Sequence, residues 1–248
     1  MGYQLTGNIN QNFEIGVILP TYEEADNIAN LIEDIENLKL SATIVVIDDS
    51  SPDGTAQIVQ ETQKKYSNVI LYRRSKKSGL GTAITDGFKF FLKQVSPPKY
   101  IFTMDADYSH DPHDMPKLLA VMQEHKCGIV IGSRYSGGGK IVGWPFSRKI
   151  ISKTANAIAR VSLGLGFQDC TSGYRCYSTI FLREVINSLH SYTYEIQIET
   201  VRQAALKNFQ VKELPVLFVN RKRGKSKLTW SEIQSFLSYT IRAVWCSR

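Results

Sequence analysis

The segment Thr43-Ile44-Val45-Val46-Ile47-Asp48-Asp49-Ser50-Ser51-Pro52-Asp53-Gly54-Thr55 decides the fold class. Five β-branched residues in a row suit a strand buried on both faces, not one that alternates between core and water. Two carboxylates follow at once, then a cluster of turn formers, then a helical pattern over 54–66. An apolar strand that ends in acid and runs into a helix is the unit of a parallel α/β sheet.

The same unit recurs on both sides of this segment. Glu14 to Leu19 reads as a strand, and Asn27 to Leu38 as a helix with Ile28, Leu31, Ile32, Ile35 and Leu38 on one face. Val69–Tyr72, Tyr100–Met104 and Gly128–Gly132 are three more strands. Gly81–Val95 and Pro112–His125 are helices, and Pro112 suits a first turn. The alternation predicts a mostly parallel, doubly wound sheet flanked by helices. Such sheets bind ligands beyond the carboxyl ends of their strands.

The residues at those ends are Pro20-Thr21-Tyr22-Glu23-Glu24, Asp48-Asp49, Asp105-Ala106-Asp107-Tyr108-Ser109 and Ser133-Arg134-Tyr135. In Asp105-Ala106-Asp107 two carboxylates one residue apart can face one divalent cation. Mg²⁺ and Mn²⁺ favour oxygen ligands and bridge carboxylates to substrate phosphates. One carboxylate of Asp48-Asp49 is expected to accept from a base or ribose, and the other to cap the helix near Gly54. Ser78-Gly79-Leu80-Gly81-Thr82 opens a helix; its pattern is not that of a dinucleotide fold, and a tight turn is expected there. Asp53-Gly54-Thr55 resembles the loop of aspartyl-phosphate phosphatases, but Ser51 stands at their nucleophile position.

The second half is less regular. Ser136–Gly139 is a glycine-rich loop. Ser147–Leu163 reads as a basic amphipathic helix, with Ile150, Ile151, Ala155 and Ile158 set against Lys149, Lys153 and Arg160. Val211–Val219 is a strand broken by Pro215, and Trp230–Trp245 a final apolar-faced helix. Both helices are expected to pack against the sheet, with a membrane surface as the alternative. The chain of 248 residues suits one domain, with 1–135 as a nucleotide-sugar half and 136–248 as an acceptor-side, membrane-facing half.

The net charge of +7 favours anionic partners. It lies in three separate spots and not in a long basic arm, so phosphorylated substrates or anionic lipid are expected and nucleic acid is not. The four cysteines form no Cys-x-x-Cys pair, so neither a zinc site nor a disulfide scaffold is expected. No signal peptide is legible, and no apolar run approaches the ~18 residues of a membrane span.

Taken in order, the motifs resemble the dolichyl-phosphate (polyprenol monophosphate) mannosyltransferases, inverting members of glycosyltransferase family 2. The segments that carry the resemblance are 19–27, 47–55, 79–83, 104–107, 132–135, 171–175 and 224–228. It implies an A-type glycosyltransferase fold with a C-terminal extension of amphipathic helices, and transfer of mannose from GDP-mannose to dolichyl or polyprenyl phosphate. Donor contacts are implied at Pro20, Tyr22, Glu24, Ile47, Asp49, Asp105, Ala106, Asp107, Arg134, Arg221 and Lys227. Metal ligation by Mg²⁺ or Mn²⁺ is implied at Asp107 and Ser109, with Asp105 close by; relatives often carry glutamine where Ser109 stands. Arg134, Arg148 and Ser152 would meet the acceptor phosphate. The catalytic set is then Asp105, Asp107 and Arg134. Work at the cytoplasmic face of a membrane follows (endoplasmic reticulum or plasma membrane), docked directly or through a separate membrane-spanning subunit. The competing readings are another donor such as UDP-glucose, a non-catalytic nucleotide-sugar-binding subunit, and a sugar nucleotidyltransferase.

Overall fold

The computed structural model describes residues 2–8, 13–221 and Tyr239. Apart from Tyr239, the predicted helix at 230–245 lies outside the described residues, as does Lys227. Strands β1 (Tyr3–Thr6), β2 (Ile15–Thr21), β3 (Ala42–Asp48), β4 (Val69–Arg74), β5 (Tyr100–Thr103), β6 (Ile129–Ser133), β8 (Arg175–Ser178) and β9 (Val211–Pro215) form one sheet. Its order is β1-β4-β3-β2-β5-β8-β6-β9. The pairs β4·β3, β3·β2, β2·β5 and β6·β9 are parallel, while β1 and β8 run antiparallel to their neighbours. A small parallel pair, β7 (Lys140–Val142) with β10 (Leu217–Val219), stands beside it.

Alternation along each strand divides the core into two layers. Ile44 and Val46 of β3 face α1 (Ile28–Asn37), α2 (Thr55–Lys65) and α4 (Met115–His125). Val45 and Ile47 face the other way, toward α3 (Leu80–Leu92), α6 (Thr179–Val185) and α7 (Ile196–Leu206). This is the flanked parallel sheet that the strand–helix alternation predicts. At about 25 cal/mol per Å² of apolar surface, burial on both faces is the main term holding it together.

Three features of the fold bear on the site. Pro215 does break the last strand, and its two pieces join different sheets. Strand β8 inserts antiparallel between β5 and β6, so the loop before it emerges at the edge where the parallel strands end. Helix α5 (Phe146–Leu163) forms as predicted, but it does not pack its apolar face on the sheet. Only Asn156 and Ala159 are buried among its described side chains; Phe146, Ile150, Ile151, Ile158 and Val161 are exposed. A stretch with apolar and basic residues at helical spacing records amphipathicity, not what lies against it.

The turn expected at Gly79–Gly81 is present, with Gly79 at φ 99°. The amides of Gly81 and Thr82 donate to the Tyr192 carbonyl at 3.0 and 3.4 Å, so the start of α3 holds a loop and not a phosphate. Glu195 and Glu199 fix that loop from the other side by accepting from the amides of residues 190–193. A Cβ on Gly81 would lie 2.5 Å from the Ser191 carbonyl oxygen and 2.8 Å from that of Thr193. Gly81→Ala is therefore expected to lower stability by about 1–3 kcal/mol in a denaturant titration. In an unobstructed helix the same change would raise stability; a gain would show that the loop does not press on α3.

Candidate active site

Because β2, β3, β5 and β6 run parallel, their carboxyl ends lie along one edge and present Glu24, Asp49, Asp105, Asp107 and Arg134 together. Two clefts open there. The first is walled by Pro20, Tyr22, Glu24, Asp49, Lys77, Asp105, Ala106, Asp107, Tyr194 and Arg221. The second is walled by Asp105, Asp107, Ser109, His110, Arg134, Trp144, Arg148, Ser152, Gln197, Phe218 and Arg221. They meet at Asp105, Asp107 and Arg221, with Leu80 and Tyr194 also common to both.

Each polar wall of the first cleft is anchored by the fold. Buried Asp48 accepts from the Ser51 amide and from the hydroxyls of Thr21 and Ser51, which tightens the turn after β3. It does not cap α2 as expected; Asp53 does that work, accepting from the Thr55 amide and hydroxyl. Asp49 faces the cleft, paired with buried Arg74 and bonded by the Ser78 amide at 3.2 Å. Arg74 also donates to the Gly79 carbonyl and the Thr82 hydroxyl, so one guanidinium joins β4 to the start of α3. The Lys77 ammonium lies 3.8 Å over the Tyr22 ring at the mouth. Ile47 is fully buried in the sheet and, among the described residues, walls neither cleft.

At the junction, Asp105 keeps part of its surface open to the cleft, but protein packs closely around it, including Gly173. Burial, and next the neighbouring Asp107 carboxylate, push the Asp105 carboxyl up to about 7. Asp107 accepts from the Ser109 amide at 2.9 Å and pairs with Arg221 at 2.9 Å. The Ser109 hydroxyl is buried without a partner. Two crowded carboxylates and an orphaned hydroxyl fit a hard divalent cation. Among the described residues no group of three or more His, Cys, Asp or Glu is poised for a metal.

In the second cleft Arg134 is buried and held in a fork by Asp169, at 2.8 Å from Nε and 2.7 Å from Nη2. Burial opposes the charge on both, yet each partner prevails on the other: the pKa of Arg134 is raised and that of Asp169 lowered. Asp169 also accepts from the Arg134 amide, so a single carboxylate fixes both backbone and side chain at the end of β6. Asn156 of α5 accepts from the Cys170 amide and donates to Thr171, tying the helix to the same loop. Arg148 stacks over Trp144 at 4.3 Å, and Ser152 accepts from the Tyr135 hydroxyl at 2.7 Å. His110 is packed between Tyr174 and Phe218; burial, with Arg134 nearby, lowers its pKa to about 4, so it is neutral at pH 7.

The structure thus gathers every described residue of the predicted set except Ile47 around two joined clefts. Sequence reasoning missed Arg74, Lys77, His110, Trp144, Asp169, Tyr194 and Gln197. Asp169 adjoins the 171–175 motif, which was a usable signal. Gln197 carries none, since a glutamine in the first turn of a helix reads as surface.

Asp105→Asn removes the charge that the fold resists. The native carboxyl titrates near 7 when folded and near 3.8 when unfolded, so its charge lowers stability progressively as pH rises from about 4 to 7, and fully above. In metal-free buffer the variant is expected to melt higher than the parent at pH 8, with the gap closing toward pH 4, and to lose activity. Equal melting at pH 8 would contradict the crowding of the two carboxylates.

Residues 16–195 match the family described as Glycosyl transferase family 2. The chain is 36% identical over 220 residues to polyprenol monophosphomannose synthase of Mycolicibacterium smegmatis, covering 88% of this chain and 82% of that protein. It is 34% identical over 213 residues to undecaprenyl-phosphate mannosyltransferase of Micrococcus luteus, covering 86% of each. Among solved structures, glucosyl-3-phosphoglycerate synthase of Mycobacterium tuberculosis with Mn²⁺, UDP and glucosyl-3-phosphoglycerate superposes at TM-score 0.65. The identity there is 16%, over 94% of this chain and 79% of that one. Mannosyltransferase PcManGT of Pyrobaculum calidifontis, solved with GDP-Man and Mn²⁺, gives 0.61 at 14% identity, over 98% and 68%. These structures share the fold, an A-type glycosyltransferase sheet, and the sequence matches carry the conclusion that the chain belongs to glycosyltransferase family 2.

Proposed function

We propose that this chain transfers mannose from GDP-mannose to a polyprenyl phosphate such as dolichyl phosphate, with inversion at the anomeric carbon. The observation that carries the reading is the meeting of two clefts at Asp105, Asp107 and Arg221. One cleft has the polar walls a nucleotide needs. The other has two arginines and apolar walls, including Trp144, Ile151 and Phe218, which suit a phosphate on a lipid. The names of the two bacterial relatives support the same acceptor and sugar.

Pro20, Tyr22, Glu24 and Asp49 hold the nucleoside end of the donor, mostly from residues 1–135. Asp105, Asp107 and Ser109 hold Mg²⁺ or Mn²⁺, and Arg221 lies beside them for the diphosphate; Lys227 is assigned to the same donor. When bound, the cation neutralises charge that builds on the departing diphosphate. Arg134 and Arg148 orient the acceptor phosphate, Arg134 pre-set by Asp169 and Arg148 by Trp144. An oxygen of that phosphate forms the new bond to the anomeric carbon from the side opposite the diphosphate. The old carbon–oxygen bond breaks, and its electron pair leaves on the nucleoside diphosphate. The acceptor oxygen is already anionic near neutral pH, so no base has to remove a proton, and positioning with electrostatics lowers the barrier.

No helix among the described residues is long and apolar enough to cross a membrane. Access to a lipid acceptor then falls to the acceptor-side half, 136–248. Helix α5 carries Arg148, Lys149, Lys153 and Arg160, no acidic residue, and the exposed side chains Phe146, Ile150, Ile151 and Val161. This composition suits docking on the anionic cytoplasmic face of a membrane, with a membrane-spanning subunit as the other route.

A transfer assay with labelled GDP-mannose, UDP-glucose or UDP-GlcNAc and a short polyprenyl phosphate in detergent tests the reading. Label is expected in lipid from GDP-mannose alone, with Mg²⁺ or Mn²⁺, and Asp107→Ala is expected to remove at least about 99% of it, since an electrostatic group of this kind contributes 10²-fold or more. Transfer from UDP-glucose would overturn the donor, and no transfer with membranes restored would favour a binding subunit. With acceptor in anionic vesicles, reversing the charge of Lys149 and Lys153 is expected to slow transfer while leaving the detergent assay unchanged; equal loss in both would rule out membrane docking through α5.

A further inference from the structure

Buried polar side chains without partners are rare in folded proteins, so where they cluster they point to a ligand. Ten such atoms occur among the described residues, and five of them wall the second cleft. They are the Ser109 hydroxyl, His110 Nδ1, Trp144 Nε1 and both the oxygen and nitrogen of the Gln197 amide. Ser109 is already assigned beside the carboxylates. Gln197 stands out because it is 2% exposed and its whole functional group is unmatched.

The hydrogen-bonding character of the wall residues sorts their ligands. Arg134 and Arg148 only donate, which suits phosphate oxygens. Asp105 and Asp107 only accept when ionised, which suits a cation. A primary amide does both, and so does a sugar hydroxyl; two neighbouring hydroxyls can engage the oxygen and the nitrogen of one amide together. The unpartnered Nδ1 of His110 can meet a hydroxyl too, and Trp144 adds a lone donor. This group walls not the first cleft but the second, which opens from the Asp105–Asp107 junction. That is where the sugar of a donor must sit once its diphosphate reaches those carboxylates.

The position of Gln197 is also pre-set. Its backbone N–H donates to the Tyr194 carbonyl at 3.2 Å, and its backbone carbonyl accepts from Arg175 at 2.6 Å. Arg175 is wholly buried and bonded as well to the carbonyls of Cys170 and Ser172. One guanidinium thereby sets the first turn of α7 and the 170–172 loop against each other, and fixes where the Gln197 side chain begins.

We propose that Gln197 is a sugar-specificity residue, whose amide binds hydroxyl groups of the transferred hexose in the second cleft with His110 and Trp144 beside it. The inference rests on the nucleotide-sugar reading above and adds a residue to which no role in recognising the sugar has been given.

Calorimetry on the intact chain with Mn²⁺ tests it, using GDP-mannose, GDP alone, and GDP-mannose analogues lacking one sugar hydroxyl each. Gln197→Met keeps length and bulk and removes only the amide. The variant is expected to melt as the parent does and bind GDP equally well, and to bind GDP-mannose about ten- to a hundred-fold more weakly. For at least one deoxy analogue the two losses are expected to be non-additive, because amide and hydroxyl report the same bond. Additive losses at every position, or equal weakening of GDP and GDP-mannose, would overturn the assignment. A parent chain that binds GDP but gains nothing from the sugar would overturn it too. Binding of neither by the parent would instead overturn the donor reading on which it rests.

Discussion

Asp105 and Asp107 face the same space at the end of β5, and the fold leaves that repulsion in place. Burial and proximity raise the Asp105 carboxyl to about 7, where the ordinary value is 3.8. Arg221 pairs with Asp107 at 2.9 Å and pulls Asp105 down as well, but by less than burial and Asp107 push it up. Crowded carboxylates of this kind are a stored electrostatic cost that a divalent cation relieves. The two clefts share these residues, so an ion held there would border both of them.

Two of the surrounding charges are held by buried partners. Asp49 is pinned by Arg74, and Arg134 by Asp169, each pair buried. Buried pairs contribute little net stability, because desolvation offsets much of their attraction. What they supply here is direction: Asp49 is aimed into the first cleft, and Arg134 into the second. Breaking either pair would leave an uncompensated buried charge, so position and stability are coupled at both sites.

The first half of the fold was legible because its signals are local. Buried parallel strands are continuous apolar runs, helices between them show 3.6-residue spacing, and the parallel topology then forces the strand-end carboxylates onto one edge. Strand β8 was not legible. Arg175 and Ser178 flank only Cys176 and Tyr177, and nothing so short announces an antiparallel insertion between β5 and β6. That insertion brings Asp169 and Thr171 to Arg134, so the partner that fixes the predicted arginine lies 35 residues away and across the sheet. Gln197 was hidden for a related reason: its unmatched amide is a property of burial, which a single polar letter does not reveal. The helix at 146–163 shows the converse, since its amphipathic pattern was clear while the surface it faces was not.

The account turns on the carboxylate pair needing a cation to receive a diphosphate. The most direct measurement is the affinity for GDP with Mn²⁺ and with a chelator. The account predicts at least a hundred-fold loss in the chelator, and tighter Mn²⁺ binding when GDP is present, by the same factor, since coupling between two ligands is reciprocal. Equal GDP affinity in both buffers would mean that the diphosphate is held by Arg221 and its neighbours alone, and that Asp105 and Asp107 have another purpose.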